Sequence, residues 1–241
     1  MEALKNLGGE IWFRLGDKDL ALHLIRKQML DCGCSLTEAT IALAGKLGVR
    51  QSVVPMSDQP VRTMVVIEKG EMPFQEYFVK NRCMPIINGF RYDGIKQASP
   101  SPKLLEALID PALEIVIICP SNPFISIDPI LELPGLRQVL KSCRAPVLAV
   151  SPIVEGQALK GPASKMLREL HHEPNASSIA NHYGKILDAF VIDKKDHNLA
   201  EQINKNGHEV LVTQIIMNSL DDRVRLADEI LNFAAKFLCN P

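Results

Sequence analysis

Ser121, Asn122, Ser151 and Lys160 are the residues whose types and spacing suit an anionic ligand. Short hydroxyl and amide side chains donate to phosphate oxygens, and a lysine ammonium adds a compact positive charge. Ser121 and Asn122 sit in Cys119-Pro120-Ser121-Asn122-Pro123, directly after the apolar run Ile115-Val116-Ile117-Ile118. Four consecutive β-branched residues read as a strand covered on both faces, and the prolines end it in a fixed turn. Ser151-Pro152 likewise closes the run Pro146 to Val150, and the loop that follows carries Glu155, Gly156 and Lys160. If the two strands are neighbours in a parallel sheet, both loops open on its carboxyl edge, where open α/β sheets place ligands.

Each loop must lead into a helix. Asp128 is placed to cap one, with Pro129 at its first position, and Pro162 opens another through Leu170. Further on, Asn175 to Leu187 presents Ile179, Tyr183, Ile186 and Leu187 as an apolar face, and Phe190 to Asp193 reads as a buried strand. Leu199 to Ile203 predicts a helix, Val210 to Val212 a last strand, and Ser219 with Asp222 the cap of a long C-terminal helix. Leu226, Ile230, Phe233 and Phe237 mark its buried face. This alternation predicts right-handed crossovers and an α/β, Rossmann-like, doubly wound, mainly parallel sheet.

The first half reads differently. Asp17 is placed to cap a helix with Leu20, Leu24 and Ile25 on one face, and Ser35 with Glu38 forms a capping box before a second helix ending at Gly48. Residues 51–102 predict an α+β insertion within a single domain spanning 1–241, with Met64 to Ile67 as a strand and Phe74, Tyr77 and Phe78 as local core. In the loop Pro55 to Thr63, Asp58 and Arg62 are spaced to pair with each other.

Composition excludes several classes. A net charge of -1 recruits neither nucleic acid nor an anionic membrane, and no apolar run reaches the ~20 residues that span a bilayer. Six cysteines without CxxC spacing predict reduced thiols and a cytoplasmic protein, with Cys119 a buried, inert one. His171 and His172 end a helix, His23 and His182 lie within helices, and none forms a metal-ligand pattern.

Four separated stretches carry a resemblance: WFRLGDKDLALHL from Trp12, PMSDQPVRT from Pro55, CPSNPFISIDPIL from Cys119 and APVLAVSPIVEGQALKGPASKML from Ala145. They resemble the transferase family of coenzyme F-420 biosynthesis. The resemblance implies transfer of a 2-phospholactyl or phosphoenolpyruvyl group from a guanosine diphosphate carrier to the deazaflavin FO, with release of GMP. It further implies Mg2+, homodimers, Arg14, Met56 and Ser57 near the acceptor, and Arg62 near phosphate, with Asp58, Ser121, Asn122, Ser151, Gly156 and Lys160 completing the substrate-binding set. Gln59 and Gln214 stand where similar proteins have acids. The family's glycine-rich first loop and its acidic NTGDD-type motif are absent from this sequence. N-terminal strands are therefore expected to be missing, and with them most of the magnesium ligands. Without them the chain is expected to expose strand edges and to be poorly soluble. Two other functions remain open: a non-catalytic binder of nucleotides or nucleotide sugars, and an inactive truncated remnant.

Overall fold

A computed structural model describes residues 2–238. The chain forms two compact units, Met1–Glu106 and Ala107–Pro241.

The first unit contains α1 (Glu2–Asn6), α2 (Asp17–Asp31) and α3 (Leu36–Lys46), followed by the strands β1 (Arg62–Ile67), β2 (Gly70–Pro73) and β3 (Ile87–Asp93). These strands form an antiparallel sheet ordered β2-β1-β3. The capping box of α3 is formed as its sequence predicts: Ser35 Oγ accepts from Glu38 N at 3.1 Å, and Glu38 Oε2 accepts from Ser35 N at 2.7 Å. Gly16, not Asp17, caps α2, because Asp19 reaches back to the Gly16 N–H. The apolar face read on α2 is exposed, Leu24 to 60%. An apolar stripe shows which face a helix can bury, and within this unit α2 packs beside α3 without burying any of its own residues. After β3, Gly94 adopts φ +84, and a Cβ there would collide with the Pro60 carbonyl oxygen, so only glycine fits.

The second unit begins within α4 (Pro102–Ile109). It continues through β4 (Val116–Ile118), a π-helical turn Pro123–Ile127, α5 (Asp128–Leu131), α6 (Leu136–Ser142) and β5 (Val147–Val150). A small hairpin follows, β6 (Ile153–Val154) and β7 (Gln157–Ala158), then α7 (Ala163–Glu169) and α8 (Ala176–Tyr183). The unit closes with β8 (Ala189–Asp193), a 3-10 turn Lys194–Leu199, α9 (Ala200–Lys205), β9 (Glu209–Thr213) and α10 (Leu220–Leu238). Strands β4, β5, β8 and β9 pair in that order, each parallel to the next. The fold class is thus α/β with a parallel sheet, as the alternation of strand and helix predicts.

Every residue of β5 and β8 is buried, which the apolar sequences of β5 and of β8 up to Asp193 allow, and Asp193 is itself hydrogen-bonded. Leu148, Val150, Ala189 and Val191 pack with Leu226, Ile230 and Phe233 of α10 in one cluster. The outer strand β4 departs from the expected double cover, since Ile117 is 37% exposed. Asp128 also departs from its expected role as a cap. The π-helical turn ahead of α5 places Asn122 at the start of the helical run, where its Oδ1 accepts from Phe124 N at 3.0 Å. Asp128 is buried and instead bonds His182 Nε2 through both carboxylate oxygens at 2.9 Å.

Leu148 lies at the centre of the sheet and is fully buried. Leu148→Ala should cost roughly 2–5 kcal/mol in urea unfolding, whereas Leu24→Ala on the exposed face of α2 should change stability by about 0.5 kcal/mol or less.

Candidate functional site

Three loops leave the carboxyl edge of the parallel sheet and line one pocket of about 300 Å³. The loop after β4 gives Pro120, Ser121 and Asn122, the connection after β5 gives Pro152, Leu159 and Lys160 with Ala163 at the start of α7, and the loop after β9 gives Ile215 to Asn218. Strands aligned in parallel end at the same edge, so residues far apart in sequence converge there.

The first loop is held by Asn122. While Oδ1 caps Phe124 N, Nδ2 lies 3.1 Å from Met166 Sδ of α7, tying the loop to the helix that follows the second one. In the second loop Ser151 is wholly buried; its hydroxyl donates to Ile153 O at 2.8 Å and accepts from Ile153 N at 3.1 Å. Ser151 therefore shapes the turn and does not line the pocket. Gly156 does not line it either. It shares with Glu155 the two-residue turn of the β6–β7 hairpin, where both residues have positive φ, 74° and 49°. Two such residues in a two-residue connection form the turn whose twist matches a hairpin. Lys160, exposed at the rim, makes no ion pair among the described residues. An ammonium without an acidic partner is available to an anion.

Sequence alone does not mark the third loop as a pocket wall. Its walls Ile215, Ile216 and Met217 are apolar, and among its residues only Asn218 has the polar side chain that a search for donors would find. Asp193, at the end of β8, accepts from Ile215 N at 3.0 Å, and Asp222 accepts from the N–H groups of Asn218 and Ser219, each at 2.9 Å. These bonds, with that of the Ser219 hydroxyl, hold the Asp222 carboxyl below the usual carboxylate range. Ser219 Oγ in turn accepts from Asp222 N at 3.1 Å, the reciprocal cap expected at the start of α10. Burial pushes the Asp196 carboxyl up, the Asp193 charge adds to this, and a hydrogen bond from Glu155 N partly offsets it.

The remaining sequence-derived residues lie in the first unit. Arg14 and Arg62 are exposed. Arg62 does not pair with Asp58: Asp58 Oδ1 accepts from Thr37 N at 2.7 Å, at the first turn of α3, where a carboxylate is favoured. Ser57 is 2% exposed and donates to Gln59 Oε1 at 3.0 Å, while the Met56 carbonyl accepts from Ser101 N at 2.8 Å. The loop from Pro55 is thus bonded within itself at Ser57 and Gln59 and outward to Thr37 and Ser101. Cys119, expected to be buried, is exposed. It lies one residue past β4, whose outward face is open at Ile117. Cys239 lies outside the described residues.

A second pocket, of about 400 Å³, opens at the amino edge of the sheet beside Ile109, Cys143 and Arg144. It lies by the carboxyl ends of α4 and α6, whose carbonyls disfavour an anion. Among the described residues no three His, Cys, Asp or Glu side chains are grouped to hold a metal ion, so the residues present do not form a magnesium cage. No helix of the described residues is long and apolar enough to cross a membrane.

Fold and pocket together define an α/β protein with a ligand site at the carboxyl ends of parallel strands. The chain matches the family model described as "2-phospho-L-lactate transferase CofD" over residues 2–228, and it belongs to that family. It is 37% identical to a 2-phospho-L-lactate transferase of Methanosarcina mazei over 94% of its own length and 74% of the relative's. It is 35% identical to a phosphoenolpyruvate transferase of Streptomyces griseus, over 94% of this chain and 72% of that one. A crystal structure of Bacillus halodurans protein BH3568 superposes with a TM-score of 0.62 at 16% identity, covering 86% of this chain and 70% of that one, and so shares the fold. Family membership agrees with the resemblance read from the four sequence stretches, and it places the chain among transferases of coenzyme F-420 biosynthesis.

Because the Asp222 carboxyl is depressed in the folded state, its contribution to stability is present above the ordinary Asp range and is lost as pH falls through the folded value. In thermal melts, wild type should exceed Asp222→Asn in stability at neutral pH, and the gap should close on acidification below about pH 4.

Proposed function

We propose that the chain transfers a 2-phospholactyl or phosphoenolpyruvyl group from a guanosine diphosphate carrier to the hydroxyl of FO. The observation that carries this reading is the convergence of Ser121, Asn122 and Lys160 on one pocket at the carboxyl edge of the sheet. Each of these side chains offers hydrogen-bond donors, and among the described residues no carboxylate lines the pocket with them. A diphosphate fits that chemistry: Lys160 offsets charge on its oxygens, the Ser121 hydroxyl and Asn218 amide donate to them, and Asn122 orders the turn that presents Ser121.

The FO hydroxyl attacks the phosphorus distal to guanosine. A new P–O bond forms to the acceptor, the bond from that phosphorus to the bridging oxygen breaks with its electron pair going to GMP, and the hydroxyl proton passes to solvent or to the leaving phosphate. What these side chains contribute is position and charge compensation, the main components of phosphoryl-transfer catalysis. Magnesium is part of the proposed reaction, and the described residues form no cage for it. The proposal assigns Arg14 and Met56 to contact with the acceptor and Arg62 to contact with phosphate. Ser57 and Asp58 act through the shape of their loop, since their side chains are bonded within it or to α3. The proposed working form is a cytoplasmic homodimer.

Calorimetry of the full chain with GDP, and with a UDP-sugar as competitor class, tests the reading. GDP should bind, and Lys160→Met should weaken it by roughly 10-fold or more, the scale of one charge-assisted hydrogen bond. Preference for the UDP-sugar, or GDP affinity unmoved by Lys160→Met, would overturn it.

A further inference from the structure

Two walls of the pocket are held from behind by carboxylates that lie outside it. Asp193 ends β8 and Asp196 follows in the 3-10 turn; they are 3% and 7% exposed. Each accepts from a backbone N–H of a different flanking loop, Asp193 from the loop after β9 and Asp196 from the hairpin after β5. Asp193 Oδ2 accepts from Ile215 N at 3.0 Å, the first residue of the pocket wall after β9, while its Oδ1 caps the 3-10 turn at Lys195 N, 3.1 Å away. Asp196 accepts from Glu155 N with both oxygens, at 3.1 and 3.2 Å. Glu155 occupies the left-handed tip of the hairpin that precedes Leu159 and Lys160, and its carboxylate pairs with Lys195 on the same turn. The strand between the two loops therefore fixes both of them through its own carboxyl end.

We propose that Asp193 and Asp196 are positioning residues that set the separation of the Lys160 wall and the Ile215–Asn218 wall, and through it the fit of the pocket to a diphosphate. This rests on the transferase reading of the pocket, and the chemistry of the two carboxylates makes it separately testable. Asp193 uses one oxygen for its own 3-10 turn and the other for the loop after β9. An amide keeps only one acceptor, so Asp193→Asn can hold Lys195 N or Ile215 N but not both, and its NH2 group opposes the N–H it loses. Asp196 uses both oxygens on one N–H. Asp196→Asn can retain that bond, and Asp196→Ala cannot.

The experiment combines hydrogen exchange of the full chain with GDP calorimetry. Asp193→Asn should speed exchange in a peptide covering residues 215–218 and leave that covering 153–160 unchanged. Asp193→Ser, which can still cap the turn but is too short to reach Ile215 N, should do the same. Asp196→Ala should speed exchange in 153–160 and leave 215–218 unchanged, and Asp196→Asn should rescue it. GDP affinity should fall about 5- to 30-fold in Asp193→Asn, Asp193→Ser and Asp196→Ala, the scale of misplaced binding groups, and recover in Asp196→Asn. Uniform exchange across both loops in every variant, or equal effects of Asn and Ala at position 196, would overturn the assignment. If wild type fails to bind GDP while the exchange pattern holds, the clamp stands and the diphosphate reading falls.

Discussion

The site depends on the parallel pairing of β5 with β8. Both strands are buried along their whole length, so their backbone groups must be satisfied by neighbouring strands rather than by water. Asp188 secures the entrance: its backbone N–H donates to Val147 O at 2.9 Å, and its Oδ2 accepts from Val147 N at 2.7 Å. Once these strands are fixed in register, Leu148 beside Ala189 and Val150 beside Val191, their carboxyl ends are fixed as well. A register slip of one residue would turn Leu148 and Val150 out of the cluster they share with α10. It would also displace Ser151, whose N–H donates to Val191 O at 2.9 Å across the pair. Core packing and loop placement are thus one constraint.

Much of the second unit was legible because its signals are local. Apolar runs marked β5 and β8, the Ser219/Asp222 pair marked the start of α10, and Asn175 before a periodic stretch marked α8. The convergence of Asn122 and Lys160 was legible too, since it follows from parallel strands with the same grammar. Other features depend on partners that a linear pattern does not name. The aspartate before Pro129 reads as a cap until His182, 54 positions away, takes both of its oxygens. The stripe on α2 reads as core, yet burial requires an opposing surface, and its unit leaves Leu20, Leu24 and Ile25 exposed. Ile215 to Met217 reads as an apolar segment because the groups that hold it in place are backbone N–H groups, which every residue except proline carries.

Gln59 and Gln214, which the resemblance sets against acids, bear on how much charge the site's loops require. Gln59 Oε1 accepts from Ser57 Oγ, from Ser99 N and from the Ser99 hydroxyl, at 3.0, 3.0 and 3.2 Å. An amide oxygen meets those donors as a carboxylate oxygen would, so the geometry of the loop does not require a charge at this position. Gln214 differs. The bond that ties it into the fold runs from Arg225 Nη2 to its backbone carbonyl at 2.7 Å, a group any residue supplies. Arg225 also bonds Glu229, which receives the Thr213 hydroxyl, so the turn from β9 into α10 is held without the side chain at position 214. At both positions the role kept is that of an acceptor fixing a loop. Neither role requires negative charge, which an anionic ligand does not need and which a cation site would.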